Sequence, residues 1–313
     1  MTTMAILYPG ALGGPVARLL SGRGVDLVTD VGGRSRRTRA NALAAGMRLA
    51  DGLRDAVAGS GIILSLVPPA QAVGMAQRCA EAAGGFPSTP RRLYVDANSI
   101  SPPKLETVAG IVSAAGMDCV DAAVIGPAAM LGDGTFFVLS GPRAGEVAAL
   151  LNGSADAMVV GAKPGDASAL KMSVGLITKA LAALGLEMYG LSARLGQTDA
   201  LSAVLHRMYP ETLEFLARNL TTFQRHGPRR VDEMRDLEDW MRASGEEPVM
   251  ADAARRVVER LSRAGPSSDR IRSFHEILAA LAAEPGGPSP DAVEARRWTN
   301  GNATGATGTG GRR

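Results

Sequence analysis

Aromatic residues are scarce: Phe, Tyr and Trp together make 4% of the 313 residues. A core must therefore be built from Ala, Val, Leu, Ile and Met. The two cysteines, Cys79 and Cys119, give no disulfide framework and no metal-ligand spacing. Both sit among apolar residues, which predicts buried, inert thiols. No uninterrupted apolar run is long enough to span a bilayer, so no membrane association is expected. The start, Met1-Thr-Thr-Met-Ala-Ile-Leu-Tyr, lacks a basic segment and a cleavage site. A cytoplasmic location is the expectation. The basic runs at 34–39 and 225–230 lack interleaved aromatics, so no nucleic-acid partner is expected.

What is present is a globular composition. Hydrophobic residues make 46% and charged residues 21%, which excludes global disorder. The net charge is +3 and the pI is near 9.1. That mild excess suits an anionic small molecule, such as a phosphate-bearing cofactor at residues 34–39.

In the first half, short apolar segments alternate with helical ones. Strands are expected over 4–8, 25–29, 62–67, 93–97, 117–120 and 135–140, and helices over 16–21, 38–45, 70–83 and 102–115. Fully apolar strands between helices predict an α/β fold with a Rossmann-type doubly wound parallel sheet. After Lys163-Pro164-Gly165 only helical patterns follow, over 166–191, 198–208, 210–220, 231–244, 248–262 and 268–283. The expected organisation is a dinucleotide-binding domain over 1–163 and an all-helical substrate and dimerisation domain over 164–284. Residues 285–313, rich in Gly, Pro, Thr and Asn, are expected to form a disordered tail.

Tyr8-Pro9-Gly10-Ala11-Leu12-Gly13 falls where the first strand turns into the first helix. The dinucleotide fingerprint is G-x-G-x-x-G, and here Tyr8 replaces its first glycine. Gly10 would let the backbone approach a pyrophosphate, and Gly13 would let helix pack on strand. With Ala11 and Leu12 these form the candidate phosphate turn, since a helix N-terminus attracts anions. The same turn without a ligand is only a tight βα connection. The second strand runs out through Asp30-Val31-Gly32-Gly33 into Arg34-Ser35-Arg36-Arg37, with Gly32 where an NAD-type acid would stand. Arg34, Ser35 and Arg36 suit a 2′-phosphate, favouring NADP over NAD. A solvated basic helix start is the competing reading.

Further motifs occur in a fixed order: Leu66-Val-Pro-Pro69, Asp96-Ala-Asn-Ser-Ile-Ser-Pro102, Asp121-Ala-Ala-Val-Ile-Gly126, Gly165-Asp-Ala-Ser-Ala-Leu-Lys171 and Arg229-Arg-Val-Asp-Glu-Met234. In that order they resemble the β-hydroxyacid dehydrogenase superfamily, which includes 6-phosphogluconate and 3-hydroxyisobutyrate dehydrogenases. The last motif resembles the C-terminal domain of a poorly characterised subgroup. The resemblance implies that Val67, Pro68 and Pro69 line the adenosine ribose, and that Asn98 and Ser99 lie near the nicotinamide. It also implies that Gly126 offers an N–H to substrate, and that Lys171 is the general acid or base. Lys171 stands alone in the apolar segment Ala169-Leu-Lys-Met-Ser-Val, where desolvation would push its pKa down towards neutrality. A lysine snorkelling from a helix edge is the competing reading.

Two positions depart from the family pattern. Gly175 stands where the family has Asn, four residues after the lysine, and Thr178 returns to the lysine's face. Ile125, Gly126 and Pro127 replace a Ser and two glycines, which weakens a carboxylate clamp. Ser99, Ile125, Gly126, Lys171 and Thr178 are the substrate-side candidates. His206, Tyr209, Arg225, His226, Arg229 and Arg230 are candidates from the helical half, with a solvated basic loop as the competing reading for the arginines. His275 is expected only to pack on a helix.

The reading is an NADP-dependent oxidoreductase moving hydride between nicotinamide and a small carbonyl or hydroxy compound, anionic ones included. The resemblance implies a homodimer. An imine reductase on the same fold and a non-catalytic NADP-binding module remain alternatives.

Overall fold

The structure, a computed structural model, describes residues 2–10, 12–21, 23–84, 90–126, 131, 134–220, 227–264 and 276. The expected helix over 268–283 and the expected tail lie outside these residues, Glu276 apart.

The first strands and helices alternate as β1 (Thr2–Leu7), α1 (Gly13–Leu20), β2 (Val25–Thr29), α2 (Arg36–Ala44), β3 (Arg48–Leu49), α3 (Leu53–Ala58) and β4 (Ile62–Ser65). A single 3-10 turn, Pro69–Gln71, leads into α4 (Ala72–Ala83), then β5 (Leu93–Asp96), α5 (Pro102–Ala114) and β6 (Asp118–Ile125). β7 (Phe136–Ser140), α6 (Ala144–Leu151) and β8 (Ala157–Gly161) complete one eight-stranded sheet, ordered β3-β2-β1-β4-β5-β6-β7-β8.

Strand parity explains how the sheet is covered on both faces. Met4 and Ile6 of β1 point with Leu64 and Val95 into one core, where Val16, Leu20 and Val147 pack. Ala5 and Leu7 point with Ile63 and Tyr94 into the other, against Met75, Leu105 and Val108. Each fully buried Val, Leu, Ile or Met among them contributes roughly 1.5–3 kcal/mol. Cys79 and Cys119 are buried in the second core, as expected. Burial pushes the Cys79 thiol up to about 12 and Cys119 up as well.

The sheet is not wholly parallel. β7 runs antiparallel to β6, with Asp121 opposite Ser140, and β8 then runs parallel to β7. The connection from β6 to β7 is short, whereas a parallel return needs a crossover of a dozen or more residues. The short elements β3, α3, α6 and β8 were not anticipated from the sequence. β8 and α6 are flanked by polar turns that mask their apolar pattern.

Compact units divide at Gly175, giving 1–175 and 176–313. α7 (Asp166–Arg194) runs across that division, and α8 (Thr198–Met208), α9 (Pro210–Leu220), α10 (Gly227–Ala243) and α11 (Val249–Ala264) follow. In the second unit, Ala182, Leu186 and Tyr189 of α7 pack with Leu216, Leu220, Met234 and Val258. Gly185 faces Leu216, where a Cβ would stand 2.5 Å from its Cδ2, so α9 closes directly on α7. Arg255 ties α11 to α10 through buried Glu238 at 2.6 Å.

α7 holds no uninterrupted apolar run, yet among the described residues it is the one helix long and apolar enough to cross a membrane by length and composition alone. An 18-residue stretch within its 29 residues reaches a mean hydropathy of 1.5. Lys171, Lys179 and Glu187 interrupt the apolar run in the sequence, while its Leu, Ile, Val, Met and Ala raise the average. Core helices of soluble proteins meet the same criterion.

Candidate active site

The candidate residues gather around the ends of β1, β2, β4, β5 and β6. At the end of β1 the chain turns at Tyr8, which has φ 70° and is the one non-glycine residue at positive φ among those described. Its carbonyl accepts from Gly10 N at 2.7 Å and points back at Gly13. A Cβ at Gly13 would stand 2.7 Å from that oxygen, so α1 can start there only on glycine. Tyr8 therefore supplies the left-handed turn that the fingerprint's first glycine would supply, at a cost of about 1–3 kcal/mol. Its ring lies over Gly10, within 3.0 Å of where a Cβ would be. Leu12 is the residue before α1, and Ala11 lies outside the described residues.

The Tyr8 ring also carries Arg34, whose guanidinium carbon stands 4.6 Å from its centroid. The two residues line a cleft with Asp30, Gly32 and Gly33. Leu53 and Met75 give it apolar wall, and Arg78 of α4 adds a second guanidinium. Asp30 accepts from Gly32 N at 2.8 Å, which holds the loop after β2. Ser35 is spent differently from expectation: its Oγ caps α2 by accepting from Thr38 N at 3.2 Å. Arg36 is exposed on the first turn of α2. Sequence reading missed Tyr8, Leu53, Met75 and Arg78 as lining residues. The spacing of Met75 and Arg78, three apart on one helix face, was the available signal.

Val67 is buried after β4, while Pro68 and Pro69 are half-buried at the entry to the 3-10 turn. Beside them, β5 ends in Asp96, which is 2% exposed. Asp96 accepts from Asn98 N at 2.9 Å and Asn98 Nδ2 at 2.8 Å, and Asn98 Nδ2 also reaches Ser65 Oγ at 3.0 Å. Asn98 is thus buried and turned towards the strand ends, and its neighbour Ser99 is the exposed one. Burial, against the hydrogen bonds of Asn98, pushes the Asp96 carboxyl up to about 7.

Lys171, on the second turn of α7, donates from Nζ to Ser99 Oγ at 2.5 Å. The buried apolar setting expected from its sequence is not what surrounds it. Lys171 is half-exposed, and Leu170 and Val174 are 36% and 40% exposed, because this face of α7 is uncovered. Two anionic groups lie within its electrostatic reach instead. Asp96 is one, and Asp121, its register partner on β6, is the other. Asp121 accepts from Ser168 N at 2.7 Å, Ser168 Oγ at 2.9 Å and Gly165 N at 3.2 Å. Burial outweighs these bonds and pushes its carboxyl up to about 6.

Ile125 ends β6, half-buried, and Gly126 follows, exposed, at φ 115°. A Cβ on Gly126 would meet Gly134 O at 2.7 Å, so glycine is required there by packing alone. Pro127 lies outside the described residues. Thr178 is half-buried in the second unit. There His206 is exposed, Tyr209 is 59% exposed and Arg229 pairs with Glu233 at 3.4 Å. Burial pushes the Arg230 guanidinium down. Arg225, His226 and His275 lie outside the described residues. Among the described residues no group of three His, Cys, Asp or Glu side chains has metal-binding geometry.

Comparison with known proteins places the chain in a family. Residues 5–160 match the NAD binding domain of 6-phosphogluconate dehydrogenase, and residues 193–261 match a domain of unknown function, DUF1932. An uncharacterized 28.5 kDa protein of Methanothermus fervidus is 28% identical over 227 residues, 72% of this chain and 86% of that protein. The solved structure of MTH1747, a conserved protein of unknown function similar to 3-hydroxyacid dehydrogenases, is 29% identical with a TM-score of 0.68. It covers 83% of this chain, and 97% of its own length is matched. The Mycobacterium tuberculosis 3-hydroxyisobutyrate dehydrogenase shares the fold at 19% identity and TM-score 0.69, over 90% of this chain and 98% of the other. The chain belongs to the β-hydroxyacid dehydrogenase superfamily, joining an NAD-binding domain of the 6-phosphogluconate dehydrogenase type to a DUF1932 domain.

Proposed function

We propose that this protein is an NADP-dependent oxidoreductase acting between a small hydroxy compound and its carbonyl, with Lys171 as general acid in reduction and base in oxidation. The observation that carries this reading is the Lys171–Ser99 hydrogen bond at the ends of the strands. On this reading the bond orients an ammonium that can give a proton to a carbonyl oxygen.

The residues fit a dinucleotide. Gly13 permits the tight turn, the helix end favours a pyrophosphate, and we assign Gly10, Ala11, Leu12 and Gly13 to its binding. Arg34, stacked on Tyr8, and Arg78 give the cleft after β2 two guanidiniums for a 2′-phosphate, which favours NADP over NAD. Arg36, exposed at the start of α2, would add charge for the same phosphate, and Ser35 orders the loop by capping that helix. Val67, Pro68 and Pro69 would form the wall beside the adenosine ribose. Asn98 braces the loop that presents Ser99. A bound nicotinamide supplies or takes up the hydride. Lys171 gives a proton from Nζ to the substrate oxygen, and Ser99 fixes the direction of that amine. Ile125 and Gly126 would meet the substrate, with Thr178 in place of the family's Asn as the hydrogen-bonding residue further along α7.

We assign cofactor binding to residues 1–163, substrate binding and dimerisation to 164–284, and the cytoplasm as location. The dimer has its own support. Leu170, Val174, Ile177, Leu181, Leu184, Met188, Leu191 and Leu195 repeat at alternating spacings of four and three, the pattern of a helix-pairing seam. Ile177, Leu184 and Leu191 on it are 61%, 60% and 54% exposed, and a second copy would cover them.

The test is Lys171→Ala, assayed with NADPH on a panel of small ketones, aldehydes and oxoacids. Turnover should fall by at least about 100-fold, the usual share of acid–base catalysis, with NADPH affinity retained. Unchanged turnover would remove Lys171 from the chemistry. Cyclic imines in the same panel separate the imine-reductase alternative.

A further inference from the structure

Asp121 has no part in the reading above, yet it is a buried carboxylate bonded to the first turn of the helix that carries Lys171. It is 2% exposed at the centre of β6. Its Oδ2 accepts from two backbone N–H groups of the turn into α7, Gly165 and Ser168, and its Oδ1 accepts from Ser168 Oγ. Backbone N–H groups at a helix start have no partner within the helix, so a carboxylate there fixes the start to the strand. From β7, Ser140 Oγ accepts from Ala167 N at 3.0 Å, so two adjacent strands grip one helical turn. Lys171 lies three residues beyond Ser168, on the same helix face.

We propose that Asp121 is the positioning residue of the site: it pins the first turn of α7 to β6, and its charge acts on the Lys171 ammonium that this turn delivers to Ser99. The proposal rests on the proton-transfer reading of Lys171 for its consequence, though not for its geometry. The titratable groups facing Asp121 are Asp96 on β5, Cys119 two residues back on its own strand, and Lys171 on α7. Ser140 and Ser168 face it as neutral hydroxyls. Asp96 opposes its ionisation, and Lys171 favours it. A protonated Asp121 keeps all three bonds, because its carbonyl oxygen can accept both N–H groups while its O–H donates to Ser168 Oγ. Asp121→Asn can do the same. The amide therefore removes the charge and keeps the anchor, whereas Asp121→Ala removes both.

Two measurements test this without a substrate. The chain has four lysines, Lys104, Lys163, Lys171 and Lys179. Selective 13C-lysine labelling therefore gives four side-chain signals, and that of Lys171 is the one lost in Lys171→Arg. In Asp121→Asn its titration midpoint should fall by half a unit or more, with Lys104 and Lys163 unmoved, since removing a nearby negative charge disfavours the ammonium. Amide exchange over residues 165–171 should stay near the wild-type rate in Asp121→Asn and rise about tenfold or more in Asp121→Ala. If Asp121→Ala does not fold, Ser168→Ala serves, with a rise of several-fold expected from one lost charge-assisted bond. An unmoved Lys171 midpoint, or exchange unchanged in the Ala variants, overturns the proposal. The turnover of Lys171→Ala is read separately. Full activity there removes the proton donor while leaving the anchor intact, so the two failures are distinguishable.

Discussion

Raising the pH from 5 to 8 takes a proton from each of two buried carboxyls, and the sheet should lose stability as it does. Asp96 moves from 3.8 to about 7 on folding, and Asp121 from 3.8 to about 6, chiefly because burial penalises the charged form. A carboxyl raised on folding stabilises the fold fully below its unfolded pKa, and that contribution is lost as pH climbs through the folded value. Each unit is worth roughly 1.4 kcal/mol. Over pH 5 to 8 Asp96 gives up about 3 kcal/mol and Asp121 about 1 kcal/mol, together about 4 kcal/mol, against a typical total of about 5–15 kcal/mol. Glu146 and Glu259 are held low by arginines, so their opposite effect appears only as pH falls below 4.5. The three histidines, at 206, 226 and 275, all follow the first unit. Urea unfolding at each pH, with exchange of β5 and β6 amides as the local readout, therefore isolates the carboxyls. Asp121→Asn should flatten the profile by about 1 kcal/mol, the share of its one ionisation. Stability that is constant or rising from pH 5 to 8 would refute the burial argument for both residues.

Arg34→Ala should weaken NADPH binding about 30-fold or more while leaving NADH within a few-fold, because a charge-assisted bond to phosphate contributes about 2–3 kcal/mol. Equal losses for both cofactors would move the 2′-phosphate site elsewhere. Gly13→Ala should cost about 1–3 kcal/mol and weaken both cofactors, since its Cβ would stand 2.7 Å from the Tyr8 carbonyl. A variant with unchanged melting and affinity would mean that the turn has room. Light scattering should give a dimer, and Ile177→Glu or Leu184→Glu should shift it to monomer; a wild-type monomer would contradict the seam on α7.

Much of this was readable from sequence where a single local rule decided the outcome. β2, α8 and α9 fall where their apolar periods put them. Lys171 and Ser99, each singled out in its own motif, form a hydrogen bond across 72 residues of sequence that neither motif foretold. The glycine turn was legible, but Tyr8 was not: its left-handed backbone is a tertiary outcome that side-chain pattern does not encode. Arg78 joins the cleft after β2 only because α4 lies beside that loop. The setting of Lys171 was misread because an apolar helix segment was taken as a buried one. Leu170 and Val174 belong to a face that one chain leaves uncovered. Asp121 stood in a recognised motif, but its role depends on a contact 47 residues away, beyond any local pattern.

The central claim is that Lys171 passes the proton while the nicotinamide passes the hydride. Single-turnover oxidation of bound NADPH by a competent carbonyl substrate, in wild type and in Lys171→Ala, tests it most directly. The account predicts NADPH bound with wild-type affinity in both, and a hydride-transfer rate at least about 100-fold lower in the variant. A variant that binds NADPH and transfers hydride at the wild-type rate would contradict it.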